Sequence, residues 1–194
     1  MSYYKTVTIP LLRSDTKDKL IDYVINNPDC ILKYYRVAED NTQFYVSNKP
    51  RNKKDKCVTL QHIDIDRVSH IVNQDVEFLK DRISIPFRLL ILYVPPLSIV
   101  PPHKDSRTSE RQCTIIDPVY PKDFYTPTWF FSKKPEGEPP EASCVDFPAL
   151  INIQEYHMVK TNQEFRLNFQ VYFGLPYTFS VVSNMIDNGT LFKY

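Results

Sequence analysis

Hydrophobic and polar positions divide the chain into two parts with different rhythms. In the first part, apolar residues recur every three or four positions, as on one face of a helix. Leu20, Ile21, Val24 and Ile25 predict a helix with an N-cap at Ser14-Asp15 and a stop at Asn26-Asn27-Pro28. Val68, Ile71, Val72, Val76, Phe78 and Leu79 predict a second helix from about Asp64 to Ile83, with a break near Asn73. Short strands are expected around these helices. One covers residues 3–12 and ends at Pro10, and one or two lie within 29–48 about the polar turn Glu39-Asp40-Asn41.

From Pro86 onward the pattern is that of strands. Pro86 to Val94 is a nearly continuous apolar run bounded by Pro95-Pro96, and Ile99-Val100 leads through Pro101-Pro102 into His103. Gln112 to Ile116, Thr128 to Phe131 and Val145 to Gln154 read as further strands. Ser132 to Ser143, rich in Pro, Glu and Lys, reads as an exposed loop. Phe165 to Phe173 alternates strictly. Phe165, Leu167, Phe169, Val171 and Phe173 share one face, and Arg166, Asn168, Gln170 and Tyr172 share the other. Helices early and many short strands later imply a mainly β (α+β) fold: a jelly-roll or cupin-like double-stranded β-helix buttressed by N-terminal helices. One domain is expected over 1–194, with mixed support in 1–83, a barrel core in 84–177 and a C-terminal extension in 178–194.

Composition narrows the function classes. A net charge of +1 on 24 basic and 23 acidic residues gives no global pull toward nucleic acid or membrane. The longest run without a polar residue, Leu89 to Leu97 apart from Tyr93, is far short of a spanning helix, and Met-Ser-Tyr-Tyr-Lys has no apolar signal core. Cys30, Cys57, Cys113 and Cys144 are too few and too scattered for a disulfide scaffold, so a reduced, cytoplasmic home is expected. The basic stretch Lys49, Arg51, Lys53, Lys54 and Lys56 fits a solvated loop better than a nucleic-acid contact.

The candidate chemistry begins at His103-Lys104-Asp105. Side chains at i and i+2 of an extended chain point the same way, about 6.5 Å apart, so a His and an Asp so placed can grip one metal ion. A second histidine from another strand, His157, completes two imidazoles and one carboxylate on one face of the ion. That set leaves coordination positions open and marks non-haem iron(II) oxygenases. His62-Ile63-Asp64 has the same spacing, but it stands at a helix entry, where i and i+2 do not share a face. Asp64 is therefore read as a helix cap, and His62 and His70 as surface or packing residues. Arg166, on the polar face of its alternating strand, offers a planar fork suited to a carboxylate, with an exposed strand residue as the alternative.

These residues resemble the iron(II)- and 2-oxoglutarate-dependent dioxygenases. Tyr93 to Asp105 (YVPPLSIVPPHKD) is similar to the prolyl hydroxylase strand that carries a cosubstrate-contacting tyrosine ten residues before the first metal histidine. His157 to Pro176 (HMVKTNQEFRLNFQVYFGLP) resembles both prolyl and aspartyl/asparaginyl hydroxylases, in which a histidine, a valine two on and a basic residue nine or ten on recur. The likeness covers about residues 84–177. It departs from the family in lacking the glycine-rich turn before the distal histidine, and in having Asp105 where the aspartyl hydroxylase branch usually lacks the acidic ligand.

The resemblance implies that His103, Asp105 and His157 hold Fe(II), and that 2-oxoglutarate pairs through its distal carboxylate with Arg166. Tyr93, Asn168, Thr114 and Tyr120 are further candidate cosubstrate contacts. Arg111 resembles an arginine that follows the motif in the family, with a structural salt bridge as its expected role. O2 is the co-oxidant, succinate and CO2 are released, and the carboxylate ligand favours hydroxylation over halogenation. The expected substrate is a prolyl, aspartyl or asparaginyl side chain, in a protein or peptide or as a free small molecule. Tyr125, Trp129, Phe130 and Phe131 fit either a substrate groove or core packing. A nucleobase-oxidising oxygenase and a non-enzymatic cupin-like binding module are the competing readings. Nucleic acid is the less favoured partner, and the sequence leaves the oligomeric state open.

Overall fold

A computed structural model of the protein describes residues 2–40, 43–47, 57–105, 111–122 and 127–193, with the backbone alone at 33–40, 43–47 and 57–60. The basic stretch 49–56, Asn41 of the expected turn, and Tyr125 lie outside the described residues. Strand β1 (Tyr4–Thr6) is followed by helix α1 (Ser14–Asn26). A short 3-10 turn (Pro28–Cys30) leads to strands β2 (Ile31–Asp40), β3 (Gln43–Ser47) and β4 (Cys57–Ile63). Helix α2 (Ile65–Arg82) precedes strands β5 (Arg88–Val94), β6 (Ile99–His103), β7 (Cys113–Tyr120) and β8 (Thr128–Phe131). Strands β9 (Ala142–Cys144), β10 (Ala149–Ile151), β11 (Tyr156–Lys160) and β12 (Arg166–Phe173) and helix α3 (Phe179–Asp187) complete the described elements.

The strands form two antiparallel sheets. The larger has the order β1-β10-β7-β12-β5-β4-β2-β3, and the smaller β6-β11-β8-β9. From β5 onward the chain passes back and forth between them. β5, β7, β10 and β12 lie in the large sheet, and β6, β8, β9 and β11 in the small one. This alternation is a jelly roll, the double-stranded β-helix expected from the strand-rich second half. β2, β3 and β4 extend the large sheet beyond β5.

The two faces of the large sheet have different tasks. Leu167, Phe169, Val171 and Phe173 of β12, with Ile91, Ile115 and Val119, are buried against the helical layer. Leu20, Ile21 and Val24 of α1 and Val68, Val72 and Leu79 of α2 supply the other side of that core. The opposite face carries Leu90, Leu92, Thr114, Ile116, Arg166, Asn168 and Gln170, and looks into the β-helix. The strict alternation of β12 thus separates the structural core from the interior cavity.

Several local expectations change. α2 runs unbroken through Asn73, which is exposed and costs the helix no buried contact, while Val72 and Leu79 on either side face the core. Phe78 is exposed with the Arg82 guanidinium 5.0 Å from its ring centre. The N-cap of α1 is Arg13 rather than Ser14, and no side chain caps it. Asp64 does cap α2, accepting from Asp66 N. The expected first strand, 3–12, stops at Thr6 because its partner β10 begins at Ala149. Beyond it, Leu11 N and Leu12 N instead donate to buried Asp117 Oδ2 at 2.7 and 3.1 Å. The expected strand 145–154 shrinks to Ala149–Ile151, because Pro148 has no N–H for the ladder. Pro148 still accepts from Val7 N at 2.7 Å. Strands β4 and β9 and helix α3 were not foreseen; β9 takes Ala142 and Ser143 from the end of the expected loop and pairs them with β8. Among the described residues no helix is long and apolar enough to cross a membrane.

Candidate metal centre

His103 ends β6 and His157 lies near the start of β11, and these two strands pair with His103 directly opposite His157. Both side chains point into the β-helix, with ring centres 4.4 Å apart. Asp105 lies just past the strand end, where its N–H donates to Ile153 O at 3.0 Å. One ligand atom from each of the three side chains lies within 4.8 Å of the others, and all three residues are buried. Among the described residues this is the one His, Cys, Asp or Glu group with that geometry.

The hydrogen bonds fix which nitrogens face inward. His103 Nδ1 is 2.8 Å from Pro101 O, and His157 Nδ1 is 3.0 Å from Glu155 O. A carbonyl can only accept, so each Nδ1 carries a proton and each ring turns its Nε2 into the site. Burial, with repulsion from His103, pushes His157 down to about 3, so it is neutral near pH 7. Burial pushes the Asp105 carboxyl up. The Arg111 charge beside it outweighs this and holds Asp105 well below the usual carboxylate range. His103 Nε2 and Asp105 Oδ1 are 3.5 Å apart. Two imidazoles and one carboxylate are the donors an open-sided iron(II) site takes.

The same cavity reaches Arg166, which is only 1% exposed. Its Nη2 donates to Thr128 Oγ1 at 3.1 Å and its Nε to Asn168 Oδ1 at 3.4 Å. Leu92, Val94, Ile116, Ile151, Ile153 and Val159 form apolar walls between Arg166 and the histidines. Arg166 is therefore an interior cation and not the exposed strand residue of the alternative reading. Thr114 also lines the cavity, but its hydroxyl donates to Val171 O at 3.2 Å.

Two expected contacts, Tyr93 and Tyr120, pack against the helix-side core. Tyr93 pairs with Leu167, one position off the Arg166–Val94 row, and so belongs to the helix-facing side. Its ring stacks on Phe165 at 5.2 Å, and the residue also lines the cavity. Tyr120 stacks on the same Phe165 at 4.3 Å and donates its hydroxyl to Glu164. Counting ten residues back from His103 finds a tyrosine, but strand parity decides its face. Phe130 is fully buried against Tyr3 and Tyr4, which favours packing over a substrate groove.

Two contributors, Thr128 and His62, escaped the sequence reading. Thr128 gave no signal beyond its place at a strand start. His62 sits on β4 rather than at a helix entry, and pairs with Leu92, which pairs with Asn168. That row places it at the cavity wall. Arg111, for which a family counterpart and a structural salt bridge were expected, makes a salt bridge to Asp105. It also lines the cavity, with Nη1 3.5 Å from Asp105 Oδ2.

No protein-family model and no curated protein matches the chain. Among solved structures, the chain is similar to a prolyl hydroxylase from Trichoplax adhaerens in complex with a hypoxia inducible factor peptide fragment. Identity is 13%, coverage is 88% of this chain and 83% of that one, and the TM-score is 0.48. It is similar to a prolyl-4-hydroxylase from Pseudomonas putida, at 11% identity over 88% and 90% of the two chains with TM-score 0.44. A viral collagen prolyl hydroxylase from Paramecium Bursaria Chlorella virus-1 matches at 11% identity over 88% and 94%, with TM-score 0.42. On its own topology and geometry, the chain is a double-stranded β-helix whose interior holds the two-histidine, one-carboxylate donor set that non-haem iron(II) oxygenases use.

Proposed function

We propose that the chain, as one domain, is an iron(II)- and 2-oxoglutarate-dependent dioxygenase that hydroxylates a prolyl, aspartyl or asparaginyl side chain, with release of succinate and CO2. The observation that carries this reading is the pairing of one buried donor set with one buried guanidinium in a single cavity. Iron held by His103, Asp105 and His157, with the keto acid and O2, supplies the oxidant. The residues of the chain do the rest. The carbonyls of Pro101 and Glu155 hold the two rings in the tautomer that presents Nε2. Arg166 takes the distal carboxylate of 2-oxoglutarate, and Thr128 and Asn168 fix the plane of its fork. The aliphatic walls exclude water from the reacting centre. A peptide substrate finds a parallel in the Trichoplax adhaerens enzyme, which is described in complex with a peptide fragment.

The test is succinate formation from 2-oxoglutarate, with and without iron(II) and O2. The reading expects turnover that needs both and is lost in His103→Ala and Asp105→Ala. Undiminished succinate formation in either variant removes the ligand assignment. Mass spectrometry of candidate prolyl-, aspartyl- and asparaginyl-containing peptides then identifies the substrate by a gain of one oxygen.

A further inference from the structure

Of the three proposed ligands, Asp105 is the one outside a strand, so its side chain needs a separate means of orientation. Its two oxygens face different neighbours. Oδ1 is 3.5 Å from His103 Nε2, on the side of the donor set, and Oδ2 is 3.5 Å from Arg111 Nη1. Arg111 is itself held on three sides. Its Nη2 donates to Gln170 Oε1 at 2.9 Å, its guanidinium lies 5.4 Å from the Tyr172 ring centre, and its backbone carbonyl accepts from Gln154 Nε2 at 3.3 Å. Its Nε is buried with no hydrogen-bond partner among the described residues. A buried donor left unmade is unfavourable, so this arrangement keeps the Asp105 and Gln170 contacts at the cost of one.

We infer that Arg111 is a positioning residue for Asp105: it holds one carboxylate oxygen aside, so that Asp105 meets a metal through the other. This rests on the iron site proposed above. A carboxylate that turned both oxygens inward would take up one of the positions the keto acid and O2 need. Gln170 lies on β12 four residues from Arg166 and on the same face, so one strand braces both the metal end and the carboxylate end of the cavity. The planar fork matters here, because it reaches Asp105 and Gln170 at once. A lysine ammonium is a single point on a flexible stem and cannot reach both.

Two effects of Arg111 oppose each other, and substitution separates them. Its charge repels a metal cation, whereas its hold on Asp105 favours binding. Positioning predicts that Arg111→Gln and Arg111→Lys both weaken Mn(II) binding, by about 10- to 100-fold in calorimetric titration without 2-oxoglutarate or O2. Lysine should be the worse of the two, since it keeps the repulsion and loses the fork. The visible absorption of the Co(II)-loaded protein should also change in both variants, as the carboxylate rearranges. Mn(II) bound as tightly or more tightly by Arg111→Gln overturns the inference, as does an unchanged Co(II) spectrum. If that variant fails to fold, Gln170→Leu removes the anchor of Arg111 without touching Asp105. It should lose about 10-fold in Mn(II) affinity, and undiminished affinity again overturns the inference. Absence of Mn(II) binding by the unaltered protein would instead remove the metal site itself, a result distinct from normal binding with indifferent variants.

Discussion

Arg166→Met separates a functional arginine from a structural one. Arg166 is 1% exposed, and Thr128 and Asn168, two of its hydrogen-bond partners, are neutral. Methionine of similar reach gives up those bonds, about 1.5–3 kcal/mol each, and offsets the loss by relieving the burial of a cation. The metal-free protein should therefore melt within a few degrees of the unaltered one. Cosubstrate binding loses far more. A guanidinium gripping a carboxylate through two charge-assisted bonds contributes about 1.5–3 kcal/mol for each. Losing about 3–4 kcal/mol after partial compensation by the apolar wall weakens binding by about 10²- to 10³-fold. The assay is calorimetric titration of 2-oxoglutarate into Mn(II)-loaded protein, which cannot turn over, alongside thermal melting. Binding of 2-oxoglutarate by Arg166→Met within threefold of the unaltered protein refutes the cosubstrate role. A large fall in melting temperature with unchanged binding would mark Arg166 as structural.

Acid should destabilise the metal-free protein in a window set by His157. Its folded pKa is about 3, below the unfolded value near 6.5, so its neutral form contributes full stability above about pH 6.5. That contribution declines by about 1.4 kcal/mol per pH unit as pH falls toward 3, and protonation of Asp105 adds a loss in the same direction below about pH 4. Urea midpoints should fall between pH 7 and 5 and fall less steeply in His157→Leu; equal slopes would count against it. Phe169→Ala, in the core between the large sheet and the helices, should cost about 3–5 kcal/mol in urea unfolding, and a loss under 1 kcal/mol would contradict the packing described. Asp117→Ala strips the acceptor from Leu11 N and Leu12 N and should cost about 2–6 kcal/mol by the same assay, with no loss meaning that water replaces the carboxylate.

What could be read from the sequence was what repeats at short range. The strict alternation of 165–173 gave β12, its apolar outer face and the interior direction of Arg166, because parity within one strand depends on nothing else. His103 and Asp105 were legible because their spacing and the strand before them lie in one segment. The faces of Tyr93 and His62 depended on register between distant strands, β12 with β5 and β5 with β4, which no local pattern encodes. Strand β4 was hidden because it follows the basic stretch and runs directly into α2. The break expected at Asn73 came from weighing a single residue over the periodic positions around it. Thr128 and Gln170 are ordinary polar residues until the fold brings each to an arginine.

The most direct measurement is anomalous diffraction from crystals soaked without oxygen in Mn(II) and 2-oxoglutarate. One manganese peak is expected within bonding distance of His103 Nε2, His157 Nε2 and one oxygen of Asp105. The keto acid should extend from the ion with its far carboxylate on Arg166. A peak bound elsewhere, or a keto acid that leaves Arg166 untouched, would contradict the account.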